Sequence, residues 1–173
     1  MDRRLFLIGG LALAGCSTLP PAPQGASPQL TLDQAFLGRK TGTGLFRVTL
    51  TGAERRFTAR LHGKLSRSGT RLTVVEDFVY DDGQKDQLTW VFDRQAAGGW
   101  IGRRDDTVGH AIVTEENGVV RLAYTADFKS LSGVTRLGFQ DVIYRADKGR
   151  IVNDAVVSRL GIPVGTVKFI IQG

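Results

Sequence analysis

The chain has 173 residues, of which 42% are hydrophobic and 23% are charged, and its formal net charge is +6. This length fits one domain, and the apolar content excludes a wholly disordered chain. A single cysteine excludes an intramolecular disulfide and a zinc site built from several cysteines, and the two histidines leave little for a transition-metal site.

The N-terminal residues have the features of an export signal. Residues 2–4 are charged, and residues 5–14 form an apolar run shorter than the roughly 18 residues that a membrane-spanning helix needs. Residues 13–16 (Leu-Ala-Gly-Cys) resemble the lipobox of bacterial lipoproteins, in which the signal peptide is removed and the cysteine is lipidated. We therefore expect residues 1–15 to be a signal peptide and Cys16 to be lipidated. An ordinary signal peptide with an incidental cysteine is the alternative.

The same segment indicates an export route and a final location. Residues 3–7 (Arg-Arg-Leu-Phe-Leu) resemble the core of a twin-arginine signal, but two arginines also occur by chance in a basic n-region, so general secretion is favoured and twin-arginine export is the alternative. Ser17 follows the cysteine, where an Asp would resemble the signal for retention in the inner membrane. We expect a protein of the cell envelope, lipid-anchored to the outer membrane on its periplasmic face. Residues 16–29 hold most of the prolines and are predicted to be a tether, so that residues 30–173 form the folded domain.

From Leu30 onward, apolar residues alternate with polar ones, as in half-buried β-strands. Glycine-containing pairs that favour tight hairpins separate these runs, at Asp82-Gly83, Gly98-Gly99, Asn117-Gly118 and Lys148-Gly149. Consecutive hairpins with short turns favour a meander, and closure of a meander removes its exposed edges. We therefore predict an all-β fold, a closed or nearly closed antiparallel up-and-down barrel of about 8–10 strands, lipocalin-like. Residues 32–37 are predicted to form a short helical turn at one end.

Several blocks of the folded domain resemble one bacterial family. They are residues 36–38 (Phe-Leu-Gly), 72–83 (Leu-Thr-Val-Val-Glu-Asp-Phe-Val-Tyr-Asp-Asp-Gly), 106–111 (Asp-Thr-Val-Gly-His-Ala) and 159–161 (Arg-Leu-Gly). Together they resemble domain of unknown function 3833, a family of Gram-negative lipoproteins, over about residues 30–171. The family pattern has Asp-Asp-Trp near residues 140–142, where this chain has Gln-Asp-Val. The resemblance implies a lipocalin-like barrel and a lipoprotein location, and it brings no established activity.

Glu76 is the first candidate for a functional side chain. The alternation places it on the same face as Val74 and Phe78, inside the predicted barrel, whereas Asp77 faces the solvent. An isolated buried carboxylate is costly, so it shifts its pKa or finds a partner. Glu76 is therefore a candidate polar anchor or general acid/base in a cavity. The alternative is a carboxylate at a strand end, paired with an arginine or lying in a polar rim.

Aromatic residues are the second group of candidates. They are Phe78, Trp90, Phe92, Trp100, Tyr124 and Tyr144. In a small barrel such residues either line a pocket for one apolar ligand or fill the core. We take Phe78, Trp90, Trp100 and Tyr124 as candidate ligand-binding residues, with Glu76 orienting the polar head of the ligand.

Other chemistries find little support in the sequence. A GxSxG nucleophile elbow is absent, and Gly42 and Gly44 lack the Lys-Ser/Thr of a phosphate-binding loop and are predicted to be bends. Asp106 and His110 are four residues apart, which on one strand separates them by about 13 Å. A metal site would need ligands from elsewhere, such as Asp141. We therefore predict no metal, no cofactor and no catalytic residues.

A basic cluster spans one predicted hairpin, and a further basic pair follows later in the chain; the residues are Arg55, Arg56, Arg60, Lys64, Arg67 and Arg71, with Arg103 and Arg104. In the periplasm its acidic partner would be anionic lipid headgroups rather than nucleic acid, and a solvated basic face is the alternative. The predicted function is binding or carriage of a hydrophobic ligand, such as a lipid or fatty-acid derivative, by a lipid-anchored periplasmic protein. An accessory outer-membrane lipoprotein with a filled core that docks a protein partner is the alternative. A third candidate is an enzyme that acts on a lipid or isoprenoid substrate through Glu76.

Overall fold

The computed structural model describes residues 30–130, 133–146 and 149–173. The predicted signal peptide and tether, including Cys16, lie outside the described residues. Within the described ranges, no helix is both long enough and apolar enough to cross a membrane.

Ten antiparallel strands of the described residues form one closed barrel, which confirms the predicted fold class. Each strand pairs with its neighbours in sequence, and the first strand closes the barrel by pairing with the last. The strands are β1 (Gly38–Val48), β2 (Glu54–Leu65), β3 (Arg71–Tyr80), β4 (Lys85–Arg94), β5 (Trp100–Arg103), β6 (Ala111–Glu116), β7 (Val119–Ser130), β8 (Gly133–Arg145), β9 (Ile151–Arg159) and β10 (Ile162–Gln172). A short helix, α1 (Leu32–Phe36), precedes them, in agreement with the sequence pattern.

Alternation and turn chemistry explain why the chain forms these strands. On β3, the inward-facing Leu72 and Val74 are almost fully buried, whereas Asp77 is exposed on the outside. Asn117 and Gly118, between β6 and β7, have φ values of 53° and 76°. A two-residue hairpin of type I′ requires positive φ at both positions, which Asn and Gly tolerate best.

The helix α1 closes one end of the barrel. Its residues Leu32, Ala35 and Phe36 are buried. The carbonyl oxygen of Phe36 lies so close to Gly63 of β2 that any side chain at position 63 would overlap it. Glu115 of β6 holds the start of the helix, because its Oε1 accepts a hydrogen bond from the Leu32 backbone N–H at 2.7 Å.

The two ends of the barrel differ in their connections. The α1 end carries α1 and the turns that follow even-numbered strands, and the far end carries the turns that follow odd-numbered strands. At the far end, residues 104–110 form a loop between β5 and β6, in which Gly109 adopts a φ of 74° that strands do not use. Asp106 and His110 therefore lie on a loop, and the prediction that they share a strand is wrong.

The hydrophobic core is concentrated in the half of the barrel next to α1. Leu61, Leu72, Phe92, Trp100 and Ile171 each expose 2% or less of their surface there. Burying a side chain of this size stabilises the fold by about 1.5–3 kcal/mol. This packed half leaves the middle and the far half of the barrel to hold the candidate site.

Candidate functional site

A cavity of about 120 Å³ lies inside the barrel. Four of the five candidate ligand-binding residues line it, namely Glu76 and Phe78 from β3, Trp90 from β4 and Tyr124 from β7. Other side chains that line the cavity are Phe57, Phe92, Arg104, Phe139, Asp141, Asn153 and Phe169. The alternation in the sequence therefore brings most of the candidate residues to one cavity.

Trp100 and Tyr144 lie elsewhere. Trp100 is 1% exposed in the core at the α1 end, where its Nε1–H donates a hydrogen bond to Glu115 Oε1 at 3.0 Å. The guanidinium of Arg94 lies 4.1 Å from the centre of the Trp100 ring. Tyr144 faces the outside of the barrel, and its hydroxyl donates to Asp154 Oδ2 at 2.9 Å. Neither residue is among those that line the cavity.

Aromatic rings form much of the cavity wall. Trp90 stacks on Phe92 with ring centres 5.2 Å apart and meets Tyr124 edge-on at 5.1 Å. Tyr124 in turn stacks on Phe139 at 4.7 Å. Aromatic pairs in these geometries stabilise each other beyond the area that they bury, so this wall holds its shape.

A second aromatic group bounds the cavity beside β1. The Phe57 ring centre lies 5.5 Å from that of Phe78 and 5.3 Å from that of Phe169. Phe57 covers Gly44, and Phe169 covers Gly42, so closely that any side chain at either glycine would overlap the ring. These glycines make room for inward-lying aromatic rings on the sheet.

Glu76 faces the cavity, as the alternation predicts, and is only 7% exposed. Burial raises the pKa of Glu76 to about 7, although the nearby charge of Arg104 acts in the opposite direction. Near neutral pH, Glu76 is therefore present in both its protonated and its ionised form. Its sequence neighbour Asp77 is exposed on the outside, where it accepts a hydrogen bond from Gln87 at 2.7 Å.

A second buried carboxyl lies on the opposite wall. Asp141 of β8 is 4% exposed and lines the cavity, and β8 is five strands from β3 in either direction around the barrel. Burial raises the pKa of Asp141 to about 7. A side-chain hydrogen bond with Asn153 and the charge of Arg104 act against this rise, and the charge of Glu76 adds to it. The sequence suggested Asp141 only as a distant metal ligand, and its place opposite Glu76 was not predicted.

Among the described residues that line the cavity, Arg104 is the cation, and the sequence suggested it only as a surface arginine. Its Nε and Nη2 donate hydrogen bonds to the two carboxylate oxygens of Asp106 at 2.5 and 2.9 Å. Its guanidinium carbon lies 4.7 Å from the ring centre of Trp90 and 5.4 Å from that of Tyr124. Only 9% of the side chain is exposed. Arg104 directly follows β5 and continues the alternation of Trp100 and Gly102, which are both buried, so the period of the strand extended by one step gives its inward direction.

A depression of about 360 Å³ lies at the far end of the barrel, and we call it the vestibule. Four carboxylates and two cations line it, namely Asp86, Asp105, Asp106, Asp127, Arg55 and Lys85. Because Arg104 lines the inner cavity and Asp106 lines the vestibule, their ion pair lies between the two spaces.

The described part of the chain offers no metal centre, since no three of its His, Cys, Asp or Glu side chains are grouped to hold an ion. What the cavity does present is an apolar, aromatic wall with two buried carboxyls and one arginine. Such a site suits a ligand with an apolar body and a polar end. Carboxyls whose pKa lies near neutrality are also the groups that acid–base chemistry uses.

Comparison with known proteins gives a family. No curated protein matches the chain. A solved structure of a "putative AttH" from Nitrosomonas europaea is 13% identical, covers 87% of this chain and aligns with a TM-score of 0.28. The chain spans 57% of the length of that protein. The family model described as "protein of unknown function (DUF3833)" matches residues 10–173, so the chain belongs to the DUF3833 family.

Proposed function

We propose that the barrel binds a small hydrophobic ligand that carries one polar group. The observation that supports this proposal is the aromatic cavity with a buried carboxyl on each of two opposite walls. The apolar part of the ligand packs against Phe78, Trp90 and Tyr124, and its polar group contacts Glu76. Buried carboxyls without partners destabilise the folded state. A ligand that pairs with them explains why the cavity contains two.

The cavity volume sets the size of the ligand. An apolar cavity of about 150 Å³ accommodates a benzene-sized molecule, so a volume of about 120 Å³ holds a group of similar size. A longer acyl chain enters only if the rings of Phe57, Phe78 or Phe169 rotate away. The proposal therefore covers a ring-sized ligand or the end of a longer lipid.

A cavity-filling substitution tests the proposal. Ala155 lines the cavity and is 4% exposed, so Ala155→Leu occupies the space that the ligand would use. Native mass spectrometry of the protein purified from its own envelope should detect a bound small molecule in the wild type and none in Ala155→Leu. Ala123→Leu adds the same bulk on the exposed outside of β7 and should keep the bound mass. An unloaded wild-type protein that also fails to bind benzyl alcohol would contradict the proposal.

Acid–base catalysis on the bound molecule is a second candidate function. The pKa of Glu76 and that of Asp141 both lie at about 7, the range in which a carboxyl exchanges protons at neutral pH. Glu76→Gln should then abolish turnover of the bound molecule while the molecule still binds. Unchanged turnover in Glu76→Gln would remove this candidate.

We also propose that the protein is a lipoprotein of the outer membrane, anchored through Cys16 and facing the periplasm. Residues 13–16 support the anchor. The described chain enters the barrel at the α1 end, where exposed cations such as Arg39, Lys64 and Arg67 would face anionic headgroups. Cys16→Ser should abolish palmitate labelling and move the protein from the membrane fraction to the soluble fraction, whereas Ser17→Ala should change neither. Labelling that persists in Cys16→Ser would contradict the anchor.

A further inference from the structure

Acids outnumber cations around the polar part of the cavity. Glu76, Asp141 and Asp106 lie near a single guanidinium, that of Arg104. Arg104 already donates two hydrogen bonds to Asp106, and aromatic rings lie near its guanidinium. A ligand carboxylate would therefore meet a cation that is already neutralised and two further carboxyls that repel it.

Buried acceptors in the cavity lack donors. Within the described part of the chain, Asp141 Oδ1 and Asn153 Oδ1 are buried and have no hydrogen-bond partner. Both residues line the cavity. An ionised carboxylate and an amide oxygen can only accept hydrogen bonds, and a buried acceptor without a donor costs about 1–3 kcal/mol. A ligand that brings N–H groups would supply the missing donors.

The vestibule, like the cavity, favours a cation over an anion. The vestibule is lined by Asp86, Asp105, Asp106 and Asp127, against Arg55 and Lys85. Three of these charges are already paired, Arg55 with Asp82 at 2.8 Å, Asp106 with Arg104 at 2.5 Å and Asp127 with Arg136 at 2.8 Å. Asp86 and Asp105 then remain against Lys85, which is still an excess of acids. A cleft lined mainly by one sign of charge concentrates ions of the opposite sign and raises their rate of association.

We propose that the ligand is a small primary amine with an apolar body, and that its ammonium group binds between Glu76 and Asp141. This inference rests on the proposed function and names the ligand class of that site. An ammonium group has three N–H donors, which match the carboxyls of Glu76 and Asp141 and the amide oxygen of Asn153. The rings of Trp90 and Tyr124 add favourable contacts with a cation and with the apolar body. The amine enters through the vestibule, past the ion pair of Arg104 and Asp106.

Three ligands that share one ring and differ in the head group test the proposal. Benzylamine, benzyl alcohol and benzoate are titrated into the full-length protein by calorimetry. Near pH 8 we expect benzylamine to bind at least about tenfold more tightly than benzyl alcohol, because the hydrogen bonds of an ammonium group are charge-assisted. We expect benzoate to bind more weakly than either. Benzylamine affinity should rise between about pH 6 and pH 8, as Glu76 and Asp141 ionise.

Substitutions test whether the preference for benzylamine depends on Glu76 and Asp141. Glu76→Gln and Asp141→Asn should each weaken benzylamine about tenfold and leave benzyl alcohol within about twofold. Asp77→Asn, on the outside of the same strand, should change neither affinity. Circular dichroism shows which variants fold, and the comparison of the three ligands on the wild type needs no variant.

The outcomes separate this inference from the function on which it rests. Equal affinities for the three ligands, or tightest binding of benzoate, would overturn the amine assignment and leave ligand binding in the barrel intact. If none of the three binds and no molecule is purified with the protein, both the amine assignment and the proposed function are overturned. A benzylamine preference that Glu76→Gln and Asp141→Asn both retain would also overturn the assignment, because the ammonium would then bind elsewhere.

Discussion

The buried carboxyl of Glu76 makes the stability of the protein depend on pH. Its pKa is 4.5 in an ordinary environment and about 7 in the folded protein, because burial disfavours the charged form. Between these pH values the folded state binds more protons than the unfolded chain, so stability falls as pH rises through this window. The loss is complete above about pH 7 and is on the order of 3 kcal/mol. Glu76→Gln should therefore raise the free energy of unfolding near pH 8 and change it little near pH 4.

Denaturant unfolding at the two pH values measures this effect. Asp77→Asn is the matched control, because Asp77 adjoins Glu76 on β3 but is exposed on the outside of the barrel. The free energy of unfolding of Asp77→Asn should depend on pH as that of the wild type does. If Glu76→Gln also follows the wild type at both pH values, the carboxyl of Glu76 does not carry the proposed burial penalty.

At the scale of single residues, the sequence predicts the inward face of a strand but not what lies opposite it. Two-residue alternation placed Glu76 inside the barrel and Asp77 outside, and the structure confirms both positions. The same rule cannot place Asp141 opposite Glu76, because that depends on the number of strands between them. Arg104 was missed for a different reason: as half of an Arg-Arg pair it was grouped with the basic surface residues, although it continues the alternation of the buried Trp100 and Gly102.

Among the elements of the fold, the contact between α1 and β2 depends on a glycine. A side chain at position 63 would overlap the carbonyl oxygen of Phe36, so Gly63→Ala should push α1 away from the barrel. Overpacking of this kind costs about 1–3 kcal/mol. Since Phe36 lines the cavity, the same substitution should also weaken ligand binding. Thermal unfolding and benzyl alcohol titration measure the two effects.

Gly138→Ala on β8 is the control for this substitution. There the nearest atom to an added methyl group is the Ser158 side-chain oxygen, which can rotate away. Its melting temperature should change by less than that of Gly63→Ala. Equal destabilisation by both variants would mean that loss of glycine from a strand, rather than displacement of α1, lowers stability.

The sequence also predicts most elements better than it predicts their ends. Glycine pairs marked the turns before β4 and β7 because these residues tolerate positive φ. The same residue type was less informative at residues 104–110, where Asp106 and His110 were predicted to share a strand although Gly109 has a φ of 74°. A glycine is compatible with both a strand and a loop, so only the pairing of the neighbouring strands decides between them.

For the whole molecule, closure follows from connectivity. Every connection in the described chain joins adjacent antiparallel strands, so the first and last strands are the only two left with a free edge until they pair with each other. A free edge exposes unpaired backbone groups, and pairing β1 with β10 removes it. Closure also gives the barrel two distinct ends, one with exposed cations beside α1 and one with the acidic vestibule.

These unlike ends predict how the protein meets a lipid surface. In a Cys16→Ser background, which removes the proposed anchor, the protein should sediment with phosphatidylglycerol vesicles and not with phosphatidylcholine vesicles. Combined Arg39→Gln, Lys64→Gln and Arg67→Gln should weaken this binding about 100-fold, because each cation near an anionic surface contributes about 1 kcal/mol. The same charge change at the far end, in Arg56→Gln, Lys85→Gln and Arg159→Gln, should weaken it less. Raising the salt from about 0.05 to about 0.5 M should release the protein by screening. Equal losses in the two triple variants would mean that net charge, and not the α1 end, governs contact with the membrane.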